Sequence, residues 1–431
     1  MAHHGHHDEI VPPKNFELPS TFKMVCGVLI VVGLAAFGGG FTYDPNVAWK
    51  GFIIGMWFTL GLSLFGPFLA STQRLAAVGW SVSLHRLLEA FGAFIPVALG
   101  AALIGSLVIP DSIFVWQQPD AGNDPILAKK LGFLNKNGFL LTNALALVAM
   151  SGISFMIRRV SHQQDEESGY DTMYRQQQLS ALYLVCFAFT VSFMSWYWLM
   201  SLEPNWFSTM FSVYAFAGMF QSGLALTYIL IIFLGTRGVF GSFMGMRQVH
   251  DVGKLVFGFT TFYAYIGFCQ FLLIWYANIP EEAVWYLQRI DKEPWAYFTL
   301  ALPFLKFVIP FLIMLPQNIK KNKNNIMFFL CMWLIFMQVY EIWYWVEPEP
   351  HGISTGGHGA DGHHGHALTG TTLIVHTLIE LGVTLGFFGA FGLVAGMVFS
   401  KHNTIPVKDP LLHETLPHHT HEPTLMDIEE F

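Results

Sequence analysis

The sequence predicts an all-α integral membrane protein with ten transmembrane helices. The 431 residues are 53% hydrophobic and only 12% charged, whereas ordinary soluble domains are about 25% charged. The apolar residues occur in ten runs of about 20 residues or slightly more, the length that a helix needs to cross a bilayer. These runs are continuous rather than alternating, which argues against a transmembrane β-barrel. Composition and pattern therefore agree on one fold class.

The ten predicted spans follow one another along the whole chain. No charged segment with a cleavage site opens the sequence, so we expect the first apolar run to be a retained helix. The predicted ranges are about 22–42, 51–70, 87–109, 138–157, 179–200, 208–234, 254–277, 295–315, 326–346 and 371–399.

Lysine and arginine are divided unequally between the two membrane faces that these spans define. Fifteen lie on the side of the N-terminus and six on the other side, while Lys306 lies inside a span. Cytoplasmic loops carry an excess of basic residues. We therefore predict that both termini are cytoplasmic. The net charge of −7 is mild and negative, so we expect no nucleic-acid partner.

Two stretches four spans apart resemble each other and predict an internal repeat. The fifth span ends FMSWYWLMSLEPNW (193–206) and the ninth ends FMQVYEIWYWVEPEP (336–350). An aromatic belt at the membrane surface would explain a Trp-Tyr-Trp triplet, but not the Glu-Pro pair that follows it in both places. We predict two parallel-repeat four-helix bundles, spans 2–5 and spans 6–9. Spans 1 and 10 are then peripheral helices.

The openings of the third and seventh spans also align within this repeat. When His85 is placed on His250, the charges that follow are exchanged between the two copies. We expect the polar residues at these two cytoplasmic mouths to face inward, because residues four apart share a helix face. Arg86 is expected to be an interfacial anchor instead. The candidate proton-entry residues are His85, Glu89, His250, Asp251 and Lys254.

Four further titratable residues lie deeper, in the central and outer parts of spans 8, 9 and 10. A lysine in mid-membrane needs a partner, and Glu341 and Glu380 are the candidates for Lys306. Buried histidines and carboxylates have pKa values near neutrality and can relay protons. A structural role remains the alternative for each residue. The proton-path candidates in this region are Lys306, Glu341, His376 and Glu380.

The sequence predicts no redox cofactor in this chain. The cysteines lie far apart without a C-x-x-C or C-x-x-C-H motif, which argues against zinc, iron–sulfur and c-type haem sites. Only His376 lies well inside the membrane, whereas a b-type haem in a bundle needs two facing histidines. Three histidine-rich stretches could bind metal weakly. They lie at 3–9, 358–366 and 418–422.

These predictions divide the chain into seven segments. They are a histidine-rich cytoplasmic tail (1–21), a first peripheral helix (22–42), a first bundle (51–200), a second bundle (208–346), a His/Gly-rich periplasmic loop (347–370), a second peripheral helix (371–399) and a cytoplasmic tail (400–431).

The chain resembles the NrfD/PsrC-like membrane subunits, and within that family the ActF-type subunits of bacterial alternative complex III. The resemblance covers about residues 20–400. Its most specific parts are two long stretches, to which the shorter HRLLE at 85–89 is added. The long stretches are SWYWLMSLEPNWFSTMFSVYAF (195–216) and VHDVGKLVFGFTTFYAYIGFCQFLLIWYANIPEE (249–282).

The resemblance implies a membrane subunit of a respiratory quinol:electron acceptor oxidoreductase in the bacterial inner membrane. It implies that iron–sulfur clusters and c-type haems reside on partner subunits. Those partners are a second NrfD-like membrane subunit, an iron–sulfur subunit, multihaem and monohaem cytochromes c, a terminal cytochrome oxidase and lipid. The family's quinol site is associated with His and Asp at the periplasmic end of the first bundle, where this chain has only Glu203.

Three alternatives to a proton-conducting subunit stay open. The chain could be a purely structural membrane anchor of such a complex, or a quinone-binding subunit. It could also be a secondary transporter, a class whose helices are often broken at the midplane in both halves. Pro303 and Pro310 flank Lys306 in span 8, but span 4, its repeat equivalent, has no proline.

Overall fold

The computed structural model describes residue 13 and residues 16–166, 169–291, 293–321, 325–348 and 370–416. Within these ranges the chain is helical and contains no strand. Ten of the described helices are long and apolar enough to cross a membrane. The predicted number of spans is therefore confirmed, and the chain is a multi-pass membrane protein.

We number the ten membrane helices in chain order. Their bounds are α1 Ser20–Tyr43, α2 Pro45–Leu75, α3 Gly79–Val108, α4 Lys136–Gln163, α5 Tyr170–Leu202, α6 Phe211–Gly235, α7 Met246–Ala277, α8 Trp295–Met314, α9 Asn325–Val346 and α10 Gly370–Phe399.

Several helices extend further than their apolar runs. α7 begins at Met246 rather than near residue 254, and α5 begins at Tyr170 rather than near residue 179. Hydropathy locates the membrane-embedded part of a helix, whereas the backbone hydrogen bonds of a helix continue into polar sequence until a cap or a glycine stops them. At the start of α7, for example, Gly245 is the N-cap residue, and its backbone N–H donates to the Gln248 side chain at 2.9 Å.

Two of the spans are irregular. α3 begins as a 3₁₀ helix over Gly79–Leu84 and contains a second 3₁₀ turn over Gly92–Phe94. A side chain at Gly92 would collide with Pro67 of α2. In α8, a π-helical turn over Phe304–Val308 surrounds Lys306. Such turns arise where the regular ladder of helix hydrogen bonds is interrupted, as it is here by the neighbouring prolines.

α2 and α6 form the centre of the molecule. The central apolar stretches of α2 and α6 are 89% and 83% buried, whereas those of α1 and α8 are 17% and 22% buried. α2 packs against α3, α5, α6, α9 and α10; α4 packs against α3 and α5; α6 packs against α7 and α9; and α8 packs against α7 and α9. α2 and α6 also contact each other, so one apolar core runs through the molecule.

α1 and α10 pack against each other through glycine. A Cβ atom on Gly33 would lie 2.4 Å from the Cα of Gly386, so the two backbones are in direct contact there. Small residues allow such close approach between membrane helices. A Cβ atom on Gly51 or Gly55 of α2 would lie 3.0 Å from a Cα atom of α10, so α2 also approaches α10 closely. α10 is thereby held against α2, and its titratable residues reach the interior.

Residues 400–416 fold back across the ends of the helices at the face that holds the start of α1 and the end of α10. Thr404 donates to the carbonyl of Val239 at 2.9 Å, and Gln248 donates to the carbonyl of Thr415 at 2.9 Å. Asp409 accepts a hydrogen bond from Gln164 at 3.1 Å. This segment therefore ties the loop after α4 to the start of α7. The three histidine-rich stretches lie outside the described residues.

Candidate functional site

The centre of the candidate site is an ion pair between α8 and α9. The ammonium group of Lys306 lies 2.5 Å from Oε2 of Glu341 and donates to Oε1 of Gln338 at 2.8 Å. Both charged side chains are completely buried. The sequence left Glu341 and Glu380 as candidate partners of this lysine, and the structure selects Glu341.

Two tyrosines extend this pair toward α6. The hydroxyl of Tyr263 donates to Oε1 of Glu341 and lies 3.0 Å from the hydroxyl of Tyr214. The Lys306 ammonium also lies 4.0 Å from the centroid of the Tyr263 ring, a distance at which a cation is attracted to the ring face. Hydroxyl groups can both accept and donate a proton. The cluster thus contains a continuous hydrogen-bonded chain from Lys306 to Tyr214.

A glycine on α6 makes room for this cluster. A Cβ atom on Gly218 would lie 2.6 Å from Oε1 of Gln338 and 3.1 Å from Oε2 of Glu341. The π-helical turn of α8 places Lys306 opposite this gap. Because π-helical turns cost helix stability and often occur at functional positions, the local backbone supports a role for Lys306 beyond packing.

A second group of charges lies near the outer ends of α2, α9 and α10. Glu347 is 1% exposed and its carboxylate lies 3.0 Å from the ammonium of Lys50 and 3.3 Å from Nδ1 of His376. Glu380, one turn further along α10 than His376, is also 1% exposed and lies near enough to interact electrostatically with Glu347. His376 and Glu380 therefore share a helix face, as their spacing predicted.

The electrostatics of Glu347 follow from this arrangement. Burial alone would raise its pKa, but the ammonium of Lys50 and hydrogen bonding to His376 and Glu380 outweigh burial and hold the pKa at about 2. Glu347 is therefore ionised at neutral pH. It borders a cavity of about 250 Å³ that Lys50 and His376 also line, so this charged group lies beside a space that can hold water.

A third group lies at the opposite face, where α3 begins. Glu89 forms an ion pair with Arg74 of α2, and both side chains are buried. His85 is 3% exposed and neither of its ring nitrogens has a hydrogen-bond partner in the described chain. Because buried polar atoms are normally satisfied by protein or by ordered water, this histidine marks a position where water is expected.

The expectation that Arg86 is an interfacial anchor is wrong. Its side chain is 3% exposed and donates to Asp165 at 2.9 Å and to the carbonyl of Ser161 at 2.6 Å. It also contacts the ring of His162. The turn after α4 and residues 400–416 cover this mouth, so the guanidinium group is enclosed by protein instead of reaching the surface.

The expectation that the start of α7 directs its charges inward is also wrong. Lys254 and Asp251 form an ion pair with each other at 2.6 Å, and the lysine side chain is 56% exposed. His250 is half-buried. The two helix mouths are therefore different: the α3 mouth is covered and internal, whereas the charged pair of α7 lies at the surface.

Eight of the nine predicted residues thus fall into three largely buried groups and one surface pair, and His250 lies half-buried beside that pair. The central group holds Lys306 and Glu341, the outer group holds His376 and Glu380, and the inner group holds His85 and Glu89. The sequence analysis missed several partners of these residues because each is contributed by a different helix or connection. The missed partners are Lys50, Arg74, Tyr214, Tyr263, Gln338 and Glu347.

The two Trp-Tyr-Trp triplets lie mostly in the protein interior, where five of the six side chains are buried and Trp196 is half-buried. Tyr197 is 2% exposed and donates to the carbonyl of Phe133, just before α4, at 2.6 Å. Tyr344 is 3% exposed and its hydroxyl lies 2.8 Å from that of Thr299 in α8. In both cases the tyrosine contacts the N-terminal part of the preceding span or the residues just before it.

Two comparisons with known proteins found no match for this chain. No protein-family model matches the chain, and no curated protein sequence matches it. Across the described ranges, no group of three or more His, Cys, Asp or Glu side chains is arranged to hold a metal ion. The candidate site is therefore defined by its own geometry.

Proposed function

We propose that this chain is a membrane subunit of a quinol:electron acceptor oxidoreductase of the alternative complex III type, located in the bacterial inner membrane with both termini cytoplasmic. In this proposal the subunit holds no redox cofactor. It provides a proton path and structural support, while iron–sulfur and cytochrome c subunits and a second NrfD-like subunit carry the electrons. The resemblance over 195–216 and 249–282 supports the assignment to such a complex.

The single observation that carries the proton-path proposal is the buried Lys306–Glu341 pair with its two tyrosines. Desolvation of two charges costs several kcal/mol per ion, so such a pair is weak evidence for stability alone. Ionisable residues in spanning helices commonly mark proton or ion routes. The hydrogen-bonded chain of Lys306, Glu341, Tyr263 and Tyr214 has the chemistry of a relay.

The inner and outer groups supply the ends of such a path. The unsatisfied nitrogens of His85 favour water at the inner mouth. The cavity beside Glu347 and His376 favours water at the outer end. A proton that leaves the central pair would pass through further water molecules, because the three groups are separate. In this scheme Asp251 and Lys254 are surface residues and take no part.

The internal repeat belongs to this proposal. α2–α5 and α6–α9 each close into a ring of neighbouring contacts. The corresponding tyrosines of the two copies differ in their partners, but each lies near the start of the preceding span: Tyr197 donates to the Phe133 carbonyl before α4, and Tyr344 contacts the Thr299 hydroxyl in α8. Both features support two four-helix bundles related by an axis along the membrane normal. Among the described residues the buried lysine–glutamate cluster lies in the second bundle and the inner group lies in the first, so the proposed path uses both copies.

Purification in a mild detergent tests membership in the complex. If the proposal holds, a tagged chain carries multihaem cytochrome c and an iron–sulfur subunit with it, and quinol reduces those haems in the purified material. A colourless chain that purifies alone with its stability intact would contradict the proposal.

A quinone-binding role is the second candidate, and one observation favours it. An apolar cavity of about 310 Å³ lies between α2, α8, α9 and α10, and Trp343, Tyr340 and Glu380 border it. Ligand sites are typically apolar with a few polar groups. Enlarging Thr377, which also lines this cavity, to tryptophan should lower quinol affinity if this candidate is correct. Unchanged quinol kinetics in that variant would exclude it.

A further inference from the structure

A charged cleft lies between α3, α4 and α10 at the membrane face that holds the end of α10. Arg158 of α4 lines this cleft together with Arg86, Glu89, His162 and His402. The rings of His162 and His402 stack with their centroids 3.8 Å apart. The cleft therefore brings basic and aromatic groups from three helix ends together at the membrane boundary.

The cleft has more positive than negative charge. Arg74 is paired with Glu89, and Arg86 is paired with Asp165. Arg158 has no ion pair or hydrogen bond of its own in the described chain, and its Nε atom is buried without a partner. Glu89 attracts it but is already engaged by Arg74. One guanidinium group is thus left without a counter-ion.

The histidines of the cleft do not balance the positive charge of Arg158. Partial burial, and then the nearby guanidinium of Arg86, lower the pKa of His402, so that this ring is neutral at pH 7. Lys401 adds further positive charge beside it. A half-buried arginine with no acidic partner is unfavourable unless an anion is present.

We propose that Arg158 binds the phosphate group of an anionic phospholipid at the opening of this cleft, because the cleft itself, of about 10 Å³, has room for no more than a water molecule. The acyl chains of that lipid would run along α4 and α10. A lipid phosphate and free inorganic phosphate share the same chemistry here. In both, the phosphate oxygens accept two parallel hydrogen bonds from the guanidinium group of an arginine. A lipid supplies that phosphate at the depth where Arg158 leaves the apolar part of α4. Basic pockets at the cytoplasmic ends of membrane helices commonly bind such lipids.

Native mass spectrometry of the purified chain with dioleoylphosphatidylglycerol or dioleoylphosphatidylcholine tests this proposal. The adjacent residue provides a matched control, because Arg159 carries the same charge but is exposed. We expect Arg158→Gln to weaken phosphatidylglycerol binding at least about tenfold, the effect of losing one charge-assisted contact. Arg159→Gln and the wild-type chain should retain it, and Arg158→Lys should retain part of it.

Three results would overturn the proposal. The first is equal phosphatidylglycerol binding by Arg158→Gln and the wild-type chain. The second is equal weakening by the Arg158 and Arg159 substitutions, which would indicate general attraction to surface charge. The third is displacement of the lipid by millimolar inorganic phosphate, which would assign the cleft to the free ion. If Arg158→Gln does not fold, the Arg158→Lys affinity relative to Arg159→Lys decides the question.

Discussion

Replacing Lys306 by methionine should destabilise the protein through the carboxylate that it leaves behind. The pair is completely buried, and its atoms are 2.5 Å apart. At an effective dielectric constant of about 20, two unit charges at that distance attract by roughly 7 kcal/mol. Desolvation of the two ions offsets most of this attraction, but removal of one partner leaves an unpaired buried charge and typically costs about 3–5 kcal/mol.

The assay is equilibrium unfolding in mixed micelles of a mild detergent and SDS. We expect Lys306→Met to lower the free energy of unfolding by about 3–5 kcal/mol. The double variant Lys306→Met/Glu341→Leu should recover most of that loss, because both charges are gone and Tyr263 keeps its contact with Tyr214. Lys254→Gln is the matched control, and its effect should be below about 1 kcal/mol since its ion pair is exposed.

Two outcomes would refute this reasoning. If the single variant were as stable as the wild-type protein, the lysine and glutamate could not be a desolvated pair. If the double variant were less stable than Lys306→Met alone, Glu341 would have another favourable partner, and its coupling to Lys306 would be misassigned.

Three further predictions concern other parts of the molecule. Gly33→Val should separate α1 from α10 and lower the melting temperature. Gly27→Val on the same helix should leave it unchanged, because the space around Gly27 is open. Equal melting temperatures of the two variants would contradict the close helix contact. Glu347 has a pKa lowered to about 2, so its contribution to stability is present above about pH 4.5 and is lost as the pH falls toward 2; Glu347→Gln should remove this part of the acid sensitivity, and an unchanged acid-unfolding profile would count against it. Arg86→Gln should lower stability by more than about 1 kcal/mol in the same SDS titration, because its buried contacts with the α4–α5 turn are lost; a neutral result would restore the interfacial role.

Hydropathy predicted the number and approximate position of the membrane helices, because crossing a bilayer imposes the same length and apolarity on every span. It did not predict where α5 and α7 begin, since their first turns lie beyond the apolar runs. It could not predict the 3₁₀ and π turns in α3 and α8 either. Those irregularities depend on contacts with neighbouring helices and on the positions of proline and glycine.

The candidate site was predicted in part for a similar reason. Sequence gives the depth of Lys306, Glu341 and Glu380 in the membrane, but not the direction in which each helix faces. Depth alone therefore left both Glu341 and Glu380 as possible partners of Lys306. Spacing was sufficient only within one helix, as for His376 and Glu380, which the structure brings to the same carboxylate.

The starts of α3 and α7 show that the internal repeat does not predict which charged side chains are buried. Arg86 and Lys254 both follow a histidine at the start of a span, and both could reach an interface. Arg86 is enclosed because the turn after α4 and residues 400–416 pack over it, whereas nothing in the described chain encloses the Lys254 side chain to the same degree. Coverage by distant segments of the chain is invisible in a local pattern.

The central claim, that protons move through the Lys306–Glu341 cluster, is tested most directly by the proton-to-electron ratio of the purified complex in liposomes. Glu341→Gln removes the carboxylate while it preserves shape, and Asp251→Asn removes a surface carboxylate as the control. We predict that Glu341→Gln abolishes proton translocation beyond quinol oxidation itself, while electron transfer continues and Asp251→Asn pumps normally. An unchanged ratio in Glu341→Gln would contradict the proposed path.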